Sequence, residues 1–96
     1  MPAYVHVNLR ILDQDLQAAL APRFREALEK AGGRIHHFGP VTDILEGAST
    51  RLPLAGVFEF PDREAALAFY QSDAYAPIRE ARRRAQEADM YIVTVA

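Results

Sequence analysis

Tyr4-Val5-His6-Val7-Asn8-Leu9-Arg10-Ile11-Leu12 alternates residue by residue, with Val5, Val7, Leu9 and Ile11 on one side and Tyr4, His6, Asn8 and Arg10 on the other. Successive strand side chains point to opposite faces, so this spacing predicts a strand with one dry face, covered by the rest of the chain. The second face carries polar and aromatic groups and must meet either water or another subunit.

Working outward, Asp13 or Asp15 is placed to cap a helix whose apolar positions Leu16, Leu20, Phe24, Ala27, Leu28 and Ala31 recur near a 3.6-residue period and stop at Gly32-Gly33. Pro22 lacks an amide proton and predicts a kink or a restart inside that helix. Arg34 to Phe38 reads as a second strand broken by Gly39-Pro40, with a short extended piece from Val41 to Glu46 and a loop from Gly47 to Pro53. Leu54-Ala55-Gly56-Val57-Phe58-Glu59-Phe60 is a third strand, stopped by Pro61, and Asp62 caps the next helix. Ala65, Ala66, Leu67, Phe69 and Tyr70 make that helix short and apolar. Ser72-Asp73 marks a break before a longer helical stretch ending near Glu87, and Met90 to Val95 is the last strand. The order β-α-β-β-α-β, with the second helical block split, predicts one α+β domain over residues 1–96, an antiparallel sheet covered by helices on one face in the ferredoxin-like arrangement.

The chain has 96 residues, half of them apolar and a quarter charged, the balance of a single globular domain. It contains no cysteine, which removes disulfides, thiolate nucleophiles and cysteine-based metal sites. A domain this small often needs added support, and a second copy of the chain is the expected one. Thirteen acidic against eleven basic residues leave a formal charge of −2, so no strong overall field draws nucleic acid or an anionic membrane. No apolar run approaches membrane-spanning length, and the start Met1-Pro2-Ala3-Tyr4 lacks the pattern of a signal peptide, so the expected compartment is the cytoplasm.

Met1-Pro2-Ala3-Tyr4-Val5, Gly32-Gly33-Arg34, Leu45-Glu46-Gly47 and Phe58-Glu59-Phe60-Pro61 followed by Glu64-Ala65-Ala66 together resemble the family called domain of unknown function 1330. The resemblance continues through Phe69-Tyr70-Gln71-Ser72, Tyr75 and Arg79, nearly the whole chain. It implies a small homodimer, a dimeric α/β barrel in which the sheet of one ferredoxin-like subunit faces that of another. After Glu46-Gly47 the family often carries an acidic residue and a tryptophan, whereas this chain has Ala48-Ser49.

Among chemistry-bearing residues, His36-His37 offers imidazoles for proton transfer or metal binding, but adjacent strand residues diverge, and a metal site is not expected. If Ile35 and His37 face the helices, His37 is the pocket candidate; the opposite phase promotes His36. Tyr70, Tyr75 and Arg79 gather around the break in the second helical block, and Tyr75 with Arg79 has the i, i+4 spacing of one helix face. A guanidinium beside phenols suits an anionic or carbonyl-bearing ligand, while the plain alternative is tyrosines packed with their hydroxyls at the surface and Arg79 along the helix. Arg82-Arg83-Arg84 is read as a solvated helix end, with Glu80–Arg84 and Arg83–Glu87 as i, i+4 pairs.

The element order is shared with the RNA-recognition motif, yet Ala55 and Val57 stand where base-stacking aromatics belong, which leaves Phe58 and Phe60 for the core. No phosphate loop, HExxH helix or nucleophile elbow occurs. The leading expectation is a cytoplasmic homodimer with a pocket between sheet and helices, drawing on His36, His37, Tyr70, Tyr75 and Arg79, that binds or transforms an unidentified small molecule. No cofactor, metal, nucleic acid or membrane is expected as its partner. A non-catalytic structural or interaction dimer competes with this reading, and an RNA-binding domain comes third. A pocket lined by two or more of His37, Tyr70, Tyr75 and Arg79 favours the first.

Overall fold

The structure, a computed structural model, describes residues 1–47 and 52–96. The Ala48-Ser49 departure and the middle of the predicted 47–53 loop lie outside the described residues. The elements run β1 (Ala3–Ile11), α1 (Gln14–Lys30), β2 (Arg34–Pro40), β3 (Leu54–Phe60), α2 (Arg63–Gln71), α3 (Ala76–Ala85) and β4 (Gln86–Thr94). The four strands form one antiparallel sheet in the order β2-β3-β1-β4, the ferredoxin-like arrangement.

β1 lies at the centre of the sheet and follows its sequence alternation: Ala3, Val5, Val7 and Leu9 are buried, while Tyr4, His6 and Asn8 are half-buried on the other face. Phe58 and Phe60 of β3 join the buried face, with Leu20 and Leu28 of α1, Ala66 and Phe69 of α2, and Ile78, Ala81 and Ala85 of α3 above them. Aromatic rings fill the centre of this layer, with Phe24 5.0 Å from Phe58 and Phe69 4.5 Å from Tyr75.

Local signals set most boundaries. The Asp13 carboxylate accepts from the Leu16 amide at 3.0 Å and Asp62 from Ala65 at 2.7 Å, so α1 and α2 each start on a side-chain cap. Gly32 adopts φ +84 and closes α1, its amide donating to the Glu29 carbonyl. Ser72 separates α2 from α3: its hydroxyl donates to the Phe69 carbonyl and accepts from the Tyr75 amide.

Four features depart from expectation. α1 continues across Pro22 as one helix of 17 residues and does not restart. Pro22 and Ala18, whose carbonyl it leaves without the helical bond, both lie on the exposed side, where water can serve instead. β2 extends through Gly39-Pro40, which pair with Ala55 and Leu54; an edge strand tolerates a proline that a central one would not. The 41–46 piece forms no ladder, although the Val41 amide donates to the Pro53 carbonyl at 2.8 Å. Finally, α3 ends at Ala85 and β4 begins at once, four residues before the expected Met90, because Gln86, Glu87, Ala88 and Asp89 pair with Ile11, Arg10, Leu9 and Asn8 of β1. Long-range pairing outweighs the helical preference of that stretch.

Candidate functional site

The space between sheet and helices holds a cavity of about 360 Å³, walled by Val5, Phe24, Phe58, Tyr70, Met90 and Ile92 among others, with Tyr75 behind them in its lining. A larger one of about 610 Å³ opens beside it, between α1, β2 and α3, with Leu9, Leu20, Ile35, Phe38 and Ile78 in its walls. Phe24, Phe58 and Met90 line both, so the two compartments share a wall and form one cleft. The apolar walls follow from the inward alternation of the strands and the inward stripes of α1 and α3.

A polar thread crosses this apolar layer. Gln17 of α1 accepts through Oε1 from Gln86 Nε2 at 2.8 Å. Gln86 in turn faces Arg82, whose Nη1 points to its Oε1 at 3.4 Å, and Arg82 donates through Nε to the Tyr75 hydroxyl oxygen at 3.1 Å. Tyr75 is fully buried and Gln86 only 6% exposed, so the bonds answer the need of buried polar groups for partners. Burial pushes the Tyr75 phenol above its ordinary value, and the Arg82 charge and hydrogen bond draw it back only in part.

The sequence candidates divide between two faces. Tyr70 and Tyr75 come together with ring centroids 5.8 Å apart, both in the lining of the smaller cavity. Arg79 stands behind them: it donates to the Tyr70 carbonyl and places its guanidinium 5.2 Å from the centre of the Tyr70 ring. That bond fastens the α2–α3 corner, and Arg79 belongs to neither cavity wall. His36 and His37 lie elsewhere, because the alternation of β2 is broken. A bulge falls between Ile35, paired with Phe58, and His37, paired with Val57, and makes His36 the extra residue. Ile35 and Phe38 therefore face the helices, while both histidines face the helix-free side, where His36 meets the Tyr4 ring edge-on. Their Nδ1 atoms are 3.0 Å apart, so these neighbours converge where an unbroken strand would separate them. No group of three metal-ligating side chains forms among the described residues.

Arg82, Gln86 and Gln17 were outside the sequence candidates. Arg82 turns inward, whereas Arg83 beside it meets Glu80 at 3.2 Å as a solvated helix pair. For Arg82 the signal was the spacing Tyr75, Ile78, Arg82: i, i+3 and i+7 lie along one helix stripe, and the first two are buried. Gln86 follows just past the helix end, as the first residue of β4.

The sequence matches the family Domain of unknown function (DUF1330) over residues 2–96. The chain belongs to the DUF1330 family. This DUF1330 chain matches no curated protein in sequence. In fold it is similar to a Rhodopseudomonas palustris protein of unknown function, at 16% identity and TM-score 0.79, covering 99% of this chain and 82% of that one. A dimeric ferredoxin-like protein of unknown function from Jannaschia sp. CCS1 has 16% identity and TM-score 0.67, with 99% and 100% covered. SnoaB, a cofactor-independent oxygenase from Streptomyces nogalater, has 8% identity and TM-score 0.70, with 99% and 93% covered. At these identities the likeness concerns the fold. Among the described residues of the DUF1330 chain no helix is long and apolar enough to cross a membrane.

Proposed function

We propose that this DUF1330 protein is a homodimer that holds a small organic molecule in the sheet–helix cleft of each subunit. The cleft carries the reading: its compartments of about 360 and 610 Å³ have aromatic and aliphatic walls and a few fixed polar groups. This is the makeup of small-molecule sites, which run to roughly 300–1,000 Å³. Tyr70 and Tyr75, both in its lining, favour a binding cleft over a purely structural dimer. Phe58 and Phe60, buried beneath the helices, are not available for stacking on RNA bases, which favours a small-molecule partner over a nucleic acid.

The second copy covers the helix-free sheet face. The subunit is a slab of 36 × 34 × 16 Å, with Tyr91 54% and Val93 39% exposed on that face. The dimeric Jannaschia protein of similar fold supports the same assembly.

A thermal-shift screen of small organic molecules tests the cleft. At least one compound is expected to raise the melting temperature, and Met90→Trp, which fills the wall shared by both compartments, should abolish that shift while leaving the circular dichroism spectrum unchanged. A panel without hits, or hits indifferent to Met90→Trp, would leave the structural dimer as the better reading.

A further inference from the structure

Among the described residues, the arginines of the larger compartment have no acidic partner. Arg82 is half-buried, and its hydrogen bonds go to neutral groups, the Tyr75 hydroxyl at 3.1 Å and the Gln86 side-chain carbonyl at 3.4 Å, the latter at the limit of a useful bond. Arg25 stands exposed at the rim of the same compartment and, like Arg82, forms no ion pair among the described residues. No Asp or Glu lines the compartment among those residues. A guanidinium drawn partly out of water loses hydration that neutral acceptors replace only in part, and an arriving anion restores the balance. Arginine also presents a planar fork that fits a carboxylate in two places at once.

We infer that the larger compartment takes an organic carboxylate, with its apolar body against Leu9, Leu20, Phe38 and Ile78 and its carboxylate on Arg82. Arg25 at the rim draws the anion in, and the Gln17–Gln86 bond holds Gln86 so that the Arg82 side chain keeps its direction toward the compartment. Tyr75 Oη, held by Nε, fixes the inner edge of the guanidinium, and with one Nη1 hydrogen turned to Gln86 this leaves Nη2 and the second Nη1 hydrogen to the ligand. The inference rests on the cleft-binding reading and adds to it the charge of the ligand and the residue that reads that charge.

Calorimetric titration of the intact protein with octanoate and with octanamide, its neutral counterpart of equal length, tests the charge. Octanoate is expected to bind about tenfold or more tightly than octanamide, since hydrogen bonds between charged partners are the stronger class. Arg82→Gln should erase that preference, and Arg82→Lys, which keeps the charge without the fork, should recover it only in part. Arg25→Gln, at an exposed site that does not bear on folding, should weaken octanoate about two- to threefold and reduce its sensitivity to salt. Equal binding of octanoate and octanamide by the wild-type protein would overturn the anion assignment and leave the cleft reading standing. Failure of both compounds at millimolar concentration would overturn the carboxylate proposal, with the thermal-shift screen still deciding the cleft. A preference that survives Arg82→Gln in a folded protein would show that Arg82 is not the anchor. If Arg82→Gln does not fold, the wild-type comparison and Arg25→Gln decide: a preference unchanged in Arg25→Gln at low and high salt overturns the proposal.

Discussion

Tyr75 is where packing and polarity meet in this fold. Its ring sits among Phe24, Phe69 and Tyr70, while its hydroxyl is held by Arg82. Because burial raises its ionisation above the ordinary tyrosine value, the native state keeps the phenolic proton at a pH where the unfolded chain has released it. This contribution is therefore fully present below about pH 10, the unfolded value, and is lost as pH rises through the raised native one. Urea denaturation between pH 8 and 11.5 should show a fall in stability at the alkaline end, and Tyr75→Phe should flatten it. The same replacement leaves Arg82 Nε without its acceptor and is expected to cost about 1–3 kcal/mol at neutral pH. Arg82 itself shows how a residue escapes a linear reading. In the run Arg82-Arg83-Arg84 the three side chains look alike, and only the helix angle that aligns Arg82 with Tyr75 and Ile78 separates it from its exposed neighbours.

At the scale of elements, β1, α1, β3 and the capped start of α2 were legible because their signals are local: a period of two, a period near 3.6, an aspartate at each of these helix starts and glycines at the end of α1. The start of β4 and the phase of β2 were not. The first is decided by register against β1, and the second by one extra residue in the ladder with β3, and neither has a counterpart in neighbouring sequence. The same limit governs the candidate site, since Tyr70 and Tyr75 announce themselves by aromatic character beside a helix break, whereas the cleft depends on how α1 and α3 close over the sheet. The turn between α1 and β2 shows how closely these elements meet. A side-chain carbon at Gly33 would stand 2.7 Å from Leu28 Cδ1 and 2.8 Å from the Phe60 ring, both buried. Gly33→Ala should therefore destabilise the subunit by about 1–3 kcal/mol through overpacking, read as a lower urea midpoint with an unchanged slope.

At the scale of the molecule, helices cover one side of the sheet and leave the other to Tyr4, His6, Val57, Tyr91 and Val93, with His6 stacked on Tyr91 at 5.2 Å. In the proposed homodimer these groups lie at the contact. Tyr91→Glu, which sets a charge at its centre, should convert a dimer into a folded monomer by light scattering at micromolar concentration; a monomeric wild type, or a variant that stays dimeric, would remove this face from the assembly. The bulge at His36 bears on a different kind of association. Open sheets can lengthen without limit when an edge offers an unbroken row of amides and carbonyls to an incoming strand. Along β2 that row is displaced at His36 and ends at Pro40, which has no amide to give, so this edge is a poor seed for fibrous growth. β4, paired with β1 without a register shift from Gln86 to Thr94, has no such safeguard in its backbone, and the tendency of this chain to form amyloid-like polymers should be governed by that edge.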